Sequence, residues 1–269
     1  MVTLFALALM QAAPVVAQPA DPVPLPGPRT LGILDAARFD RCHDLATDDA
    51  VAGIAEAQGW LADGGGFVAR QCLGFAQSKA GQYAAATESF VQAAQEAEAA
   101  SDWRASNLWA QAGNAALAAG DAVRARTLID AALAGGRLTG VQLGLAHLDR
   151  ARAALVMADW EAARADLDRA QAEASQDPLA WLLSATLARR QGDLARAQAD
   201  ITVAAQLGPR DAAIALEAGN IAAAADNLDA AEASWTSAAA LGGNSPQGEA
   251  ARARLEELRA VRASEMPAG

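Results

Sequence analysis

Residues 73–93 read LGFAQSKAGQYAAATESFVQA and contain a pattern that returns along the chain. A short turn, Gly81-Gln82-Tyr83, precedes an alanine, a large apolar residue four positions later, and a second alanine three positions after that. The pattern occurs as Ala86/Phe90/Ala93, Ala125/Ile129/Ala132, Ala163/Leu167/Ala170, Ala197/Ile201/Ala204 and Ala231/Trp235/Ala238. Its leading alanines are 39, 38, 34 and 34 residues apart. A period in this range is typical of stacked helical pairs, so the sequence predicts a helical repeat protein.

The composition favours helices over sheets. Aromatic residues supply 4% of the 269 residues and there is one tyrosine, so large core side chains are scarce. Alanine is abundant, and it is the best helix former. No stretch alternates apolar and polar residues with enrichment in β-branched types, so no sheet is expected.

The repeated pattern resembles the tetratricopeptide repeat, which combines Trp-x2-Leu-Gly-x2-Tyr with Gly-x-Tyr-x2-Ala-x3-Phe-x2-Ala over about 34 residues. Residues 73–93 match it at Leu73, Gly74, Gly81, Tyr83, Ala86, Phe90 and Ala93. Residues 178–211 match it at Trp181, Ala185, Gly192, Leu194, Ala197, Ile201, Ala204 and Pro209. A degenerate copy opens the array at Ala50, Ile54 and Ala57. The chain is similar to exported bacterial members of this family; the alternative is another α-solenoid with a similar period.

The resemblance implies an all-α fold, a right-handed α-solenoid of about five to six helix-turn-helix units with a C-terminal capping helix. We expect the array over residues 31–241, with units near 31–66, 67–105, 106–143, 144–177, 178–211 and 212–241, and the cap over 246–263. Small residues should let the two helices of a unit approach closely, at Gly74, Gly113, Ala151, Ala185 and Gly219. The large residues Phe90, Ile129, Leu167, Ile201 and Trp235 are expected to fill the gap to the next unit.

The amino terminus indicates export. Residues 1–17 form an uncharged apolar run, and Val15-Val16-Ala17 suits signal peptidase, although no basic residue precedes the run. Residues 18–30 are predicted to be a proline-rich linker. A soluble periplasmic protein follows from this interpretation. The alternative is anchorage by an uncleaved N-terminal segment, although the run is short for a membrane span and Pro14 interrupts it.

The two cysteines, Cys42 and Cys72, are predicted to form a disulfide, since an even count in an exported chain suggests pairing. The alternative is a pair of buried thiols. No metal site is expected, because two cysteines and His43 lack the paired ligand spacing of a zinc site.

The charge limits the classes of partner. The formal net charge is −11, and Lys79 is the only lysine. Nucleic acids and anionic membrane surfaces require a basic footprint, so we expect neither nucleic-acid binding nor direct membrane binding after signal cleavage. A protein or peptide partner is expected instead.

In the family that the chain resembles, the first helix of each unit lines a concave, peptide-binding groove. The positions that this assigns to the groove are Gln71, Lys79, Asn107, Asn114, Arg152, Leu155, Leu182, Arg189, Arg190 and Asn220, with further apolar residues at Phe75, Leu117, Leu145, Leu148 and Leu216. Because arginine can hold a carboxylate through two hydrogen bonds, the bound peptide is predicted to carry an acidic group. The alternative is that Arg152, Arg189 and Arg190 pair with acidic residues of the chain itself.

The sequence predicts no enzyme and no cofactor. It has no glycine-rich phosphate loop, no His-x-x-x-His and no Gly-x-Ser-x-Gly. His43 adjoins Cys42, but neighbours on a helix point about 100° apart and do not face each other. His147 stands at a packing position and is expected to be a core or interface residue.

These observations favour a periplasmic scaffold that binds a protein or peptide in its concave groove. The alternatives are a structural, self-assembling envelope protein and a binder of a small ligand in the concave face. The sequence leaves the oligomeric state and the identity of the partner open.

Overall fold

The computed structural model describes residues 33–265, which form thirteen α-helices and no strand. The predicted signal peptide (1–17) and linker (18–30) lie outside the described residues. The helices are α1 (Ile33–Asp48), α2 (Ala50–Ala62), α3 (Gly66–Lys79), α4 (Tyr83–Ala99), α5 (Ala105–Ala118), α6 (Ala122–Ala134), α7 (Gly140–Val156), α8 (Trp160–Glu173), α9 (Pro178–Arg190), α10 (Leu194–Leu207), α11 (Ala212–Ala224), α12 (Leu228–Gly242) and α13 (Pro246–Glu265). The prediction of an all-α solenoid is confirmed.

The helices stack in chain order. Each odd-numbered helix from α1 to α11 packs against the next even-numbered helix to form a unit, and each unit packs against the following one. The last helix, α13, contacts both α11 and α12 and buries Leu255 and Leu258 against Trp235. This helix covers the apolar face that the final unit would otherwise expose.

The two longer repeat spacings have a structural origin in α4 and α7. Both helices contain 17 residues, whereas α9 and α10 contain 13 and 14. Helix α7 begins at Gly140, four residues before the predicted unit start at residue 144. The chain is extended at Thr139 and left-handed at Gly140 (φ 53°), so the turn before the helix ends at this point. The extra turn exposes Val141 and Leu145.

The recurring turn phrase joins the two helices of a unit by one backbone conformation. Its first residue has a positive φ: Gly81 (73°), Gly120 (84°), Ala158 (57°), Gly192 (79°) and Asp226 (59°). The next side chain caps the following helix in four units, where Asp121, Asp159, Asp193 and Asn227 accept hydrogen bonds of 3.0 to 3.2 Å from backbone amides three residues ahead. Each turn therefore ends one helix and begins the next.

The core is built from small and large residues in opposition. A Cβ atom added to Gly74 would lie 2.9 Å from the ring of Phe90, and Gly113 and Gly219 meet Ile129 and Trp235 in the same way. The large side chains therefore fill the space within their own unit. Phe90 also belongs to the same buried cluster as Ala112 of the next unit, so it reaches the following unit as well.

Buried polar groups join helices within the stack. Asp166 of α8 accepts hydrogen bonds from Arg150 Nε (2.8 Å) and Nη2 (2.7 Å), and it lies 2.9 Å from Nδ1 of His147. Burial raises the pKa of Asp166, but hydrogen bonds from His147 and Arg150 outweigh it and leave the pKa below its usual value. His147 is therefore an interface residue between α7 and α8, where it helps to stabilise a buried carboxylate.

A disulfide joins Cys42 in α1 to Cys72 in α3, with 6.3 Å between the Cα atoms. Both cysteines are buried. The bond links the first helix of the array to the first helix of the next unit.

Candidate peptide-binding groove

The first helices of neighbouring units lie side by side, with contacts between α1 and α3, α5 and α7, and α9 and α11. All of the groove positions assigned from the sequence occur on these first helices. Several of them form hydrogen bonds from one first helix to the next, and we call the surface formed by α1, α3, α5, α7, α9 and α11 the groove.

At the amino-terminal end of the groove, two amide side chains connect α3 and α5. Gln71 Nε2 donates to Oε1 of Gln111 over 3.3 Å. Asn107 is half-buried on α5, and Lys79 is exposed at the end of α3, where its Nζ lies 5.4 Å from the centroid of the Phe75 ring. Gln71 and Lys79 thus lie beside the aromatic surface of Phe75.

That aromatic surface forms one wall of a cleft of about 450 Å³ between α1, α3 and α5. Its lining includes Phe39 and His43 of α1, Gln71 and Phe75 of α3, and Gln111 of α5. The imidazole of the exposed His43 stacks on the Phe75 ring, with centroids 3.9 Å apart and an interplanar angle of 17°. His43 thus faces the groove, away from the disulfide that contains its neighbour Cys42.

In the middle of the groove, Asp149 connects two predicted residues. Its Oδ2 accepts from Nδ2 of Asn114 on α5 (2.9 Å), and its Oδ1 accepts from Nη1 of Arg152 on α7 (2.8 Å). Leu155, one turn further along α7, is half-buried and packs against the core cluster around Leu167. The positive charge of Arg152 is therefore balanced within the chain.

At the carboxyl-terminal end of the groove, Glu217 of α11 likewise connects two predicted groove residues, Arg189 and Asn220. It accepts from Arg189 Nε (2.6 Å) and Nη2 (3.3 Å) and from Asn220 Nδ2 (3.2 Å). Asn220 in turn accepts a hydrogen bond from Nε1 of Trp235 (3.1 Å). Arg190 is exposed and has no ion-pair partner within residues 33–265.

The structure thus brings together Gln71 with Gln111, Asn114 with Arg152, and Arg189 with Asn220. Leu182 differs from expectation, since it is 9% exposed and belongs to a core cluster with Ile201 and Ile214. Its side chain packs in the cluster formed by α9, α10 and α11, together with Ile201 and Ile214.

The three arginines predicted to line the groove differ in whether an acidic residue of the chain pairs with them. A partner carboxylate that displaced Glu217 from Arg189 would leave Glu217 buried and unpaired, which is costly. Arg152 is paired at a more exposed position, and Arg190 is free to receive a carboxylate. Arg152 and Arg189 thus form ion pairs within the chain. Arg190 can still form an ion pair with a carboxylate of a partner.

Sequence reasoning missed the residues that complete the site. They are Phe39, His43, Gln111, Asp149 and Glu217. Helical spacing carried part of the signal, since Asp149 and Glu217 each stand three residues before a predicted groove residue on the same helix face. The aromatic wall had no such signal, because it forms between two units.

Two further properties of the described region concern metal binding and membrane crossing. Among residues 33–265, no three His, Cys, Asp or Glu side chains are grouped so that they could hold a metal ion. In the same range, no helix is both long enough and apolar enough to cross a bilayer.

Solved structures share this architecture. PilW, described as a widely conserved type IV pilus biogenesis factor, superposes with a TM-score of 0.68 at 18% identity, covering 81% of this chain and 98% of its own. PilF of Pseudomonas aeruginosa superposes with a TM-score of 0.64 at 14% identity, covering 82% and 99%. YrrB, described as a TPR protein with an unusual peptide-binding site, has a TM-score of 0.53 at 16% identity, covering 73% and 96%.

The similarity is one of structure. No protein-family model matches the sequence, and no curated protein matches it. The six helix pairs, the small and large residues that oppose each other within them and the superposed structures together show that this chain has the tetratricopeptide-repeat fold.

Proposed function

We propose that this chain is an interaction scaffold that binds an extended segment of a protein partner in the groove. The observation that carries the proposal is the row of amide side chains at the junctions of the first helices, Gln71 with Gln111 and then Asn114. An amide side chain both donates and accepts hydrogen bonds, so it can match the alternating N–H and C=O groups of a peptide backbone. YrrB, which shares the fold, is described by its peptide-binding site.

The hydrogen bonds present in the groove can be exchanged for bonds to a peptide. Gln71 and Gln111 are half-buried and joined by a bond of 3.3 Å, near the upper limit for a hydrogen bond. Replacing it by two amide-to-backbone bonds leaves no buried group unsatisfied, so the exchange costs little. Phe75 and Leu117, both half-buried beside these amides, supply apolar surface for the side chains of the partner.

An acidic group on the partner would meet Arg190. This side chain is exposed at the end of α9, next to the internally paired Arg189. A carboxylate from the partner therefore adds an ion pair there without breaking one. In an acidic chain, an unpaired arginine beside a groove favours partners with a local negative charge.

We place the scaffold in the periplasm, as a soluble exported protein. Support comes from the disulfide between Cys42 and Cys72, since disulfides persist in oxidising compartments, and from the apolar run at residues 1–17. PilW is described as a pilus biogenesis factor, which makes envelope assembly proteins reasonable first partners to test. An uncleaved N-terminal anchor would place the same groove at the periplasmic face of the membrane.

We assign the chain no catalytic role. Cys42 lies in the disulfide and supplies no thiolate, and His43 stacks on Phe75 in place of pairing with a nucleophile. The carboxylates of the groove, Asp149 and Glu217, are engaged by Arg152 and Arg189.

A capture experiment tests the proposal. The full exported chain and the variant Gln71→Ala/Asn114→Ala are used to capture proteins from envelope extract, and yields are compared by quantitative mass spectrometry. The control is Gln95→Ala/Gln198→Ala, which removes two exposed amides from the second helices α4 and α10. We expect the groove variant to lose partners at least about tenfold, as removal of two or three hydrogen bonds predicts, and the control to retain them. Equal yields from all three chains would refute the groove.

A second comparison tests the acidic group. Arg190→Glu should weaken capture of the same partner, and Arg210→Glu, an exposed arginine in the loop between α10 and α11, should not. An equal effect of the two substitutions would show that overall charge matters and that Arg190 is not a specific contact.

A further inference from the structure

We propose that a cleft at the amino-terminal ends of α7 and α9 binds a segment of the partner that carries a large apolar side chain beside an arginine or lysine. The cleft has a volume of about 500 Å³ and is lined by Val141 and Leu145 of α7 and by residues 173–178, from the last residue of α8 to the first residue of α9. We call it the edge cleft. The inference rests on the proposed function, since Leu145 is one of the residues assigned to the groove, and it adds the chemistry of the partner at one side of that groove.

The shape of the edge cleft is fixed by the start of α7. Helix α7 contains 17 residues and α9 contains 13, and the additional turn of α7 carries Val141. In the same part of α7, Gly144 lies against the junction of α8 and α9, so close that an added Cβ atom would stand 2.6 Å from the Cβ atom of the buried Ala174. This close approach holds the start of α7 on the junction, so the cleft is part of the folded chain before any partner binds.

One wall of the edge cleft is apolar and exposed. Val141 and Leu145 are 61% and 41% exposed, and they are four residues apart, so they lie on the same face of α7. The half-buried ring of Pro178 belongs to the same lining. Large aliphatic side chains that are exposed together beside a concave surface are unfavourable in water. A leucine, isoleucine or phenylalanine of the partner would cover both side chains of α7 at once.

The other wall of the edge cleft carries two carboxylates without a counterion. Glu173 is half-buried, and its side chain forms no hydrogen bond or ion pair with any other of residues 33–265. Asp177 uses Oδ1 to accept from the backbone amide of Leu179 (2.8 Å), and it forms no ion pair in the same range. A negative charge beside apolar surface is stabilised by a cation that arrives with the partner.

Elsewhere the chain neutralises its own carboxylates. Each of the four buried carboxylates of the described region pairs with an arginine; they are Asp102, Asp166, Asp200 and Glu217. In the edge cleft the chain itself supplies no such partner to the two carboxylates. An arginine or lysine of the partner would therefore add an ion pair there without breaking one.

The edge cleft and Arg190 together define a spacing in the partner. Pro178 is the first residue of α9 and Arg190 is the last, so the two ends of the helix are about 18 Å apart. An extended segment spans that distance with about five to six residues. A partner that crosses α9 would thus carry its basic residue at one end of the segment and its acidic group about five to six residues away.

Peptide selection tests the chemistry of the edge cleft. A phage-displayed library of random twelve-residue peptides is selected against the full exported chain, against Glu173→Lys and against Glu256→Lys. The last is the control, because Glu256 is exposed on α13 and forms no ion pair among residues 33–265. We expect the native chain and the control to enrich peptides with a large apolar residue beside an arginine or lysine at least about tenfold. Glu173→Lys should instead enrich an acidic residue beside the apolar one.

Two results of the selection would overturn the proposal. The first is a native chain that does not enrich the combination of apolar and basic residues. The second is a preference for basic residues that Glu173→Lys leaves unchanged, or that Glu256→Lys alters to the same extent.

Fluorescence anisotropy with the most enriched peptide tests the apolar wall. Val141→Ser/Leu145→Ser should weaken binding at least about tenfold, because apolar contacts are lost at both positions. Val51→Ser, at a valine that is 72% exposed on α2, is the control and should bind like the native chain. Circular dichroism checks that each variant keeps its helices. Equal binding by the double variant and the control would contradict the assignment of the wall.

A charge exchange completes the test and separates it from the test of the groove. Replacing the basic residue of the peptide by glutamate should weaken binding to the native chain and restore binding to Glu173→Lys; if nothing is restored, the ion pair does not form. The variant Gln71→Ala/Asn114→Ala reports on the proposed function. Unchanged binding to that variant would count against the row of amides, whereas the outcomes at Glu173 decide the edge cleft.

Discussion

Gly219 of α11 lies directly against the indole ring of Trp235 in α12, so close that a Cβ atom on residue 219 would overlap the ring. The indole Nε1 donates to Oδ1 of the neighbouring Asn220 at 3.1 Å, which fixes the ring in this position. In two other units the small residue is an alanine and the large residue an aliphatic one, as in Ala151 and Leu167. The two positions thus share a constant space, and the size of one residue limits the size of the other.

We predict that Gly219→Ala destabilises the chain by about 1–3 kcal/mol, as overpacking of a tight core usually does. The added methyl group cannot fit unless α11 and α12 separate or the indole leaves its position. Urea unfolding followed by circular dichroism measures the change in the free energy of unfolding.

A second substitution and a control test that explanation. Trp235→Leu in the Gly219→Ala background recreates the Ala151 and Leu167 pair and should restore part of the lost stability. Gly59→Ala, on an exposed helix position with open space around its Cβ, should stabilise by about 0.5–1 kcal/mol through helix propensity. If Gly219→Ala is as stabilising as Gly59→Ala, the close contact does not limit residue size.

The turns predict a stabilising substitution at Ala158. This residue has a φ of 57°, in the left-handed region that three other units fill with glycine. Non-glycine residues pay about 1–2 kcal/mol in that region, partly offset by the greater entropy of glycine in the unfolded chain. We expect Ala158→Gly to stabilise by about 0.5–1 kcal/mol.

The reverse substitution at an equivalent turn is the control. Gly120→Ala places an alanine at a φ of 84° and should destabilise by about 1 kcal/mol. Thermal unfolding of both variants, compared at equal protein concentration, measures the two changes. Shifts of the same sign would show that the left-handed conformation does not determine the choice of residue.

The buried carboxylate of Asp166 predicts a dependence on pH. Its pKa is lower in the folded chain than the ordinary value near 4. Asp166 therefore stabilises the fold above that value, and the stabilisation disappears as the pH falls through the folded pKa. Asp166→Asn should lower the free energy of unfolding by about 1–3 kcal/mol at pH 7, because Arg150 and His147 lose a charged acceptor.

The loss should shrink when unfolding is measured at pH 2.5, below the ordinary pKa near 4, because the unfolded chain then gains a proton at residue 166. Asp168→Asn provides the comparison, since Asp168 is about half exposed and its pair with Arg196 should contribute less than about 1 kcal/mol. An Asp166→Asn effect that is equal at both pH values would contradict the assignment of an ionised, buried carboxylate.

The disulfide should contribute strongly to the amino-terminal units. It closes a loop with a sequence separation of 30 residues, for which chain entropy predicts about 3–4 kcal/mol. Cys42→Ala/Cys72→Ala should therefore unfold at a lower urea concentration than the native chain. Mass spectrometry of the exported protein without reductant should detect the linked peptides, and free thiols at both positions would contradict the pairing.

Most of the fold could be predicted from the sequence because each repeat contains the local pattern that specifies its helix pair. The period, the turn residues and the opposition of Gly74 to Phe90 are local patterns, and they predicted helix pairs, their order and the C-terminal cap. Less of the groove could be predicted from the sequence. Gln71, Asn114, Arg189 and Asn220 were placed on the first helices by counting from each turn, and this count depends on helix rotation.

What the sequence by itself determined is the all-α repeat architecture, because spacings of 34 to 39 residues and small residues opposite large ones leave little alternative packing. The tertiary structure alone decided which groove residues are available. Glu217 neutralises Arg189 across two helices, Leu182 turns into the core, and Phe39 meets Phe75 in one cleft. Each of these outcomes depends on the distance and rotation between neighbouring helices, which arise from packing over the whole stack.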